Sequence, residues 1–132
     1  MDRKIECSIV TPDRIVFEGQ ADLMVIQAHD GEVGFMYNHA PFISELGNGE
    51  ARMRNGDHTE YLIVEGGFVE IRDNTLIVLA ENAYRKDELC KAEIQESIEE
   101  IKNIPRIIDT EEGLRLETEL KKQKARLKVA SR

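Results

Sequence analysis

Residues 60–81 read EYLIVEGGFVEIRDNTLIVLAE, and the period of that stretch decides what kind of fold the chain can adopt. β-Branched and aromatic residues dominate it, and apolar side chains recur in steps of two around Asp73-Asn74. Such a dipeptide tolerates positive φ at both positions, so it joins antiparallel strands in a tight hairpin. Glu65-Gly66-Gly67 offers a second turn, and the stretch therefore predicts three consecutive strands. Toward the N-terminus the same pattern continues. IECSIV places Ile5, Cys7 and Ile9 on one face, Thr11-Pro12-Asp13 turns the chain into RIVFEG, and Asp30-Gly31 and Asn55-Gly56 each separate a further pair of β-rich runs. Several short strands with no helical run between them predict an antiparallel β-sandwich or barrel over residues 1–84.

Beyond Tyr84 the period changes. Leu89, Ile94, Ile98 and Ile101 recur at helical spacing, with Glu93, Glu96, Glu99, Glu100 and Lys102 elsewhere on the cylinder. Pro105 cannot continue that helix. Asp109 opens a D-x-x-E pattern with Glu112 that reads as a capping box, and Leu116, Leu120 and Leu127 follow on one face. Residues 85–132 are thus expected to form a two-helix hairpin. Neither helix carries enough apolar surface to stand alone in water. The hairpin is also polarised: from Asp87 to Glu112 nine acids face three bases, whereas from Leu114 to Arg132 seven bases face two acids.

With 132 residues and a net charge of −8, the chain has room for one domain and an appendage, and it lacks the basic balance that phosphate backbones demand. No run of about 18 apolar residues suggests a membrane span, and no signal segment is apparent. The two cysteines, Cys7 and Cys90, have neither CxxC spacing nor an even framework; Cys7 reads as a strand core residue and Cys90 as a helix residue.

The segment HDGEVGFMYNHAPF, His29 to Phe42, concentrates chemically capable side chains. His29 and His39 lack metal-ligand spacing, and His58 lies beyond a different turn. Asp30 reads as a turn residue and Glu32 as the start of the next strand. Nucleophile elbow, phosphate loop and dinucleotide fingerprints are absent, so neither catalysis nor a cofactor or metal site is expected. Gly31, Gly34 and Pro41 instead shape a loop at one end of the sandwich that presents Glu32, Tyr37, Asn38 and His39.

GEVGFMYNHAPF resembles the GxxGxxxxHAP segment of the epsilon subunits of F-type ATP synthases, and VEGGFVEIRDNTLIVLAENA resembles that family's second signature. IECSIVTPDRIVFEG and ARLKVA are similar to the family's two ends, so the resemblance covers essentially the whole chain. It implies a non-catalytic rotor subunit of the central stalk, seated on gamma and on the c-subunit ring, at the cytoplasmic face of a bacterial membrane. The bacterial origin accords with MDRKIECSIV leading directly into the first strand. Glu32 and His39 become candidates for c-ring contact. The hairpin becomes a regulator of ATP hydrolysis, with Lys121, Lys122, Lys124, Arg126 and Lys128 as candidate contacts to acidic segments of alpha and beta. Some relatives bind ATP through Ile/Leu-Asp-x-x-Arg-Ala; here the stretch is LCKAEI, with Cys90 at the acid and Glu93 at the arginine, which implies no ATP binding by that motif. The alternative class is a β-domain interaction module with a helical tail.

Overall fold

The computed structural model describes residues 3–105, 107 and 109–132. Its strands are β1 (Ile5–Val10), β2 (Ile15–Ala21), β3 (Leu23–Ala28), β4 (Gly31–Phe35), β5 (Phe42–Glu45), β6 (Asn48–Asn55), β7 (His58–Arg72) and β8 (Thr75–Arg85). A 3-10 turn, Lys86–Glu88, leads to helices α1 (Lys91–Lys102) and α2 (Glu111–Ala130). The result is an N-terminal β-sandwich followed by a two-helix hairpin.

The strands run in the order β2-β1-β8-β7-β6-β3-β4, with β5 on β7. Pairing is antiparallel with one correction: β1 lies parallel to β8, with Glu6 opposite Thr75 and Val10 opposite Leu79. A parallel pair needs a long crossover, and the whole intervening chain supplies it.

A second correction concerns Gly66-Gly67. The chain does not turn there; β7 is one strand of 15 residues, and its pairing with β8 runs from Leu62↔Arg85 to Arg72↔Thr75 in one register. The glycines take φ of +69° and +103°, which bends the strand without reversing it. A Cβ on Gly67 would stand 1.9 Å from the Leu79 carbonyl oxygen, so no larger residue fits. Before the bend β7 pairs with β6, and after it with β5. One strand therefore passes from one layer of the sandwich to the other. The reversal falls at Asp73-Asn74, both at positive φ (52° and 60°), as the dipeptide predicts.

Between the layers lie Ile5, Cys7 and Ile9 of β1, Met24 and Ile26 of β3, Phe35, Leu62, Val64, Val69, Ile71, Leu76 and Val78, all buried. Burial pushes the Cys7 thiol up to about 12, which makes it an inert core residue.

Ile94, Ile98 and Ile101 of α1 meet Leu120 of α2, with Leu89, Leu127 and Ala130 packed alongside. Two details depart from expectation. Cys90 is the residue before α1, in extended conformation and exposed, rather than within the helix. The cap of α2 is Thr110, not Asp109: its Oγ1 accepts a hydrogen bond from the Gly113 N–H at 3.0 Å. The interhelical connection passes so close that a Cβ on Gly113 would lie 2.0 Å from the Ile107 oxygen. Glycine at the third helical position is what lets Thr110 take the capping role.

Candidate functional site: a bare sheet face and a seated helix

The outward faces of the two layers differ sharply. On the layer formed by β2, β1, β8, the second half of β7 and β5, the register sets Phe68 beside Leu79, Leu79 beside Val10 and Val10 beside Ile15. Ile43 and Ile77 lie in the neighbouring row, on either side of Glu70. Ile15, Ile43, Phe68 and Leu79 are 52–67% exposed. A groove of about 360 Å³, lined by Val10, Thr11, Pro12, Leu79, Ala80 and Glu81, borders the same stripe. Strand alternation accounts for it: Val69, Val78 and Ala80 point to the core, so their apolar neighbours must point out. A contiguous apolar patch of this kind marks an interaction surface.

The opposite layer is covered. Leu62, Ile63, Val64 and Glu65 are all buried, so β7 has cover on both faces there. That cover is α2, which packs on β6 and β7. Val129, fully buried, lies in the same helix, and Val25 and Ile63 are buried on the strand side. Flanking them are two matched polar contacts. Arg126 donates from Nε and Nη2 to the two carboxylate oxygens of Glu65, both at 2.7 Å, with its guanidinium 5.4 Å from the Tyr84 ring centre. Arg132 donates in the same way to Glu50, both at 2.8 Å, and lies 4.7 Å from the Tyr61 ring centre. Bidentate geometry and ring stacking are what arginine, unlike lysine, provides. The Glu65 bonds push the Arg126 guanidinium upward despite its burial. Hydrogen bonds from Arg132, then the charges of Arg132, Lys128 and Arg52, hold the Glu50 carboxyl below its usual range against desolvation.

These contacts divide the basic residues of α2. Arg126 is committed to Glu65, Lys128 stands 3.9 Å from Glu50 while largely exposed, and Lys122 is 3.8 Å from Glu119. Lys121 and Lys124 are exposed. Cys90 and Glu93, at the altered nucleotide motif, are both exposed at the start of α1.

The linker is fastened to the sandwich. Arg14 pairs with Glu88 at 2.5 Å and donates to the Ala83 carbonyl; Arg85 donates to the Val16 carbonyl, pairs with Glu60 and lies over Phe17. Glu88 also accepts from the Arg85 backbone N–H.

Glu32 and His39 do not share one surface. Glu32 is on β4, beside Gln27 and 3.2 Å from Arg52, while the loop proper spans residues 36–41. There His39 is half-buried, its ring 5.2 Å from Phe35 and 6.1 Å from Phe42, and its backbone N–H donates to the Met36 carbonyl. Asn38, at φ 63°, donates its backbone N–H to Asn74 Oδ1 at 2.6 Å, so the loop is tied to the β7–β8 turn. Gly31 has positive φ; Gly34 does not, and its place tolerates a Cβ. Met36 and Tyr37 are the exposed large side chains of the loop. Among the described residues, no three His, Cys, Asp or Glu side chains gather as a metal cage, and no helix is long and apolar enough to cross a membrane.

Sequence reasoning misses Glu50, Glu65, Tyr61, Tyr84 and Arg132. The unbroken apolar run Leu62-Ile63-Val64 is the available signal, since a half-solvated strand alternates and a doubly covered one does not.

Comparison with known proteins places these features in a family. A family model described as the β-sandwich domain of the ATP synthase delta/epsilon chain matches residues 4–86. An ATP synthase epsilon chain of Leptospira interrogans is 32% identical over 98% of this chain and 97% of its own length. One from Ligilactobacillus salivarius is 36% identical over 98% and 99% respectively. Among solved structures, a chain of the Euglena gracilis mitochondrial ATP synthase (OSCP/F1/c-ring) superposes with a TM-score of 0.83 over all of this chain and 84% of that one, at 17% identity. A chain of the Tetrahymena thermophila central stalk and c-ring gives 0.66 over 98% of both, at 15% identity. At those identities the structures speak to the fold.

Proposed function

The chain belongs to the family of ATP synthase delta/epsilon chains, and from that premise we propose that it is a non-catalytic subunit of the central stalk, which turns with the rotor and regulates ATP hydrolysis. The observation that carries this reading is the contrast between the two outer faces. The patch of Ile15, Ile43, Phe68, Ile77 and Leu79 is the kind of surface a permanent partner buries, and we assign it to the gamma subunit. The loop 36–41 falls to the c-subunit ring, with His39 as a candidate contact; Glu32, set apart on β4, is a separate candidate. Residues 1–84 act in this reading as the coupling domain and residues 85–132 as the regulatory one, peripheral to a membrane-embedded machine on its cytoplasmic face.

The hairpin is the inhibitory element of the proposal. Its exposed Lys121 and Lys124, and Lys122, Arg126 and Lys128 once α2 leaves the sheet, are the cations for acidic segments of alpha and beta. The altered stretch at Cys90 and Glu93 removes the cation that would face a nucleotide phosphate, so the hairpin position is set without ATP binding at that motif.

The test adds this chain to the matching catalytic complex stripped of it. Co-elution of the full chain, retained by a chain stopped after Leu89 and lost on Phe68→Glu together with Leu79→Glu, supports the stalk assignment. Suppression of ATP hydrolysis by the full chain alone supports the inhibitory role. Failure of the full chain to co-elute overturns the assignment, and equal hydrolysis with full and shortened chains overturns inhibition.

A further inference from the structure

We propose that Glu65 and Glu50 are internal competitors for the cations of α2 and of the chain end that follows it: they occupy Arg126 and Arg132 in the seated hairpin and so set how much of the chain can engage an acidic partner. The inference rests on the regulatory reading above and names the residues that govern it.

Three observations lead to it. First, each guanidinium already holds both oxygens of a carboxylate and lies over an aromatic ring. A carboxylate on another protein that takes the same Nε–Nη2 fork must displace the glutamate already holding it. Second, Glu65 and Glu50 side chains are only 3% and 7% exposed, and each lies under a helix that brings its counter-charge. With the helix seated, neither can lose its arginine without leaving a bare charge in a desolvated place. The ion pairs and the seating of α2 therefore break together. Third, α1 makes its helix contacts with α2, and its buried side chains join the hairpin's own cluster. The hairpin's hold on the sandwich beyond the linker thus runs through α2, these two pairs and the weaker Lys128–Glu50 contact.

The two pairs differ in how firmly they hold. The Arg132 side chain is 37% exposed and the Arg126 side chain 21%. Salt screens exposed charges more than covered ones, so the Arg132–Glu50 pair at the chain end contributes the more salt-sensitive part of the seating and the Arg126–Glu65 pair the less sensitive part. Lys121 and Lys124, exposed throughout, remain available to make first contact with an acidic surface before either pair opens. Capture therefore proceeds from the lysines to the arginines.

Glutamine tests the inference, because it keeps the shape and the acceptor oxygen but removes the charge. The chain carrying Glu50→Gln and Glu65→Gln is compared with wild type, with Arg126→Gln and Arg132→Gln, and with all four changes. Amide hydrogen exchange reports seating of α2 and, separately, the integrity of the β7 and β8 core. Titration with poly-L-glutamate reports access to the cations. The doubly glutamine-substituted seat is expected to speed exchange in α2 and to bind poly-L-glutamate about tenfold more tightly, the scale of one charge-assisted hydrogen-bond pair. The gain should vanish when the arginines are also changed. Unchanged exchange in α2, unchanged affinity, or a gain that survives loss of both arginines overturns the inference. A third arm measures co-elution with the stripped catalytic complex and suppression of its hydrolysis. If wild type fails to co-elute while the first two arms behave as expected, the stalk assignment falls and the competition stands. If wild type co-elutes and the substituted seat inhibits no more strongly, competition does not govern the complex and the inference is overturned.

Discussion

The sandwich and the hairpin are built from the same alphabet and held by different forces. Between the sheet layers lies one continuous apolar cluster that draws on strands from both ends of the domain. Within the hairpin the buried cluster is Ile94, Ile98, Ile101 and Leu120, and the attachment of α2 and the chain end to the sheet combines a small apolar contact around Val129 with the ion pairs of Arg126, Lys128 and Arg132. Burial of apolar area resists salt and does not depend on a competing partner. An ion pair gains little over its solvated parts and can be replaced by another ion pair. The difference teaches where permanence and where exchange are possible in this chain: the β-domain is held by apolar burial, and the helix is seated largely by contacts that another charged group can replace.

The most forceful way to break that contrast is to attack the sandwich at its bend. Gly67→Ala sets a methyl 1.9 Å from the Leu79 oxygen at a φ of +103°, and it should cost about 4 kcal/mol or more. Urea unfolding followed by circular dichroism should show the whole β-domain lost at lower denaturant, with the hairpin following it. Arg126→Ala should do the opposite. It leaves Glu65 without its counter-charge, and α2 leaves the sheet rather than bury that carboxylate, a loss of about 3 kcal/mol in seating. Hydrogen exchange should quicken in α2 and hold steady in β7 and β8; a matching loss in the strands would mean that the two regions are not separable.

Smaller effects sharpen the comparison. Thr110→Ala removes the hydrogen bond to the Gly113 N–H and should weaken α2 by about 1 kcal/mol, visible as a drop in helical signal with no change in the β-domain transition. Changing pH should do least over the neutral range. The Glu50 carboxyl is held below its ordinary value of 4.5 by Arg132, with Lys128 and Arg52 adding to the effect. A depressed carboxylate contributes stability that is in place above its unfolded value and is lost as pH falls through the folded one. Seating of α2 should therefore be flat from about pH 8 to about pH 6 and weaken only in acid, whereas added salt at neutral pH should loosen it. A transition near neutrality, read by exchange in α2, would point to a different titrating group.

Much of the fold is legible in the sequence because it rests on local chemistry. Asp73-Asn74 makes the hairpin turn by its own φ preferences, and the change from a period of two to one near four needs no partner to be seen. The Gly66-Gly67 pair reads as a turn because glycine permits reversal and bending alike, and only the continued pairing of β7 with β8 selects bending. The cap at Thr110 depends on the Ile107 carbonyl coming close to Gly113, a contact with no local sequence signature. The candidate site is less legible for the same reason. Lys121, Lys124 and Arg126 read alike as cations of a basic helix, yet Glu65, 61 residues from Arg126, decides that one of them is covered. Long-range pairing of charges is invisible to periodicity.

The fastening of Glu88 by Arg14 and by the Arg85 N–H fixes more than the start of a helix. It leaves Leu89 and Cys90 between the anchored turn and the first residue of α1, so any rotation of α1 against the sandwich would fall on those two residues. The twelve residues of α1 make a lever arm of about 18 Å. A rotation of about 30° at its base would carry the far end, where the chain passes on to the start of α2, through roughly 9 Å, whereas the seated end of α2 at Ala130 lies beside the anchored turn itself and would travel least.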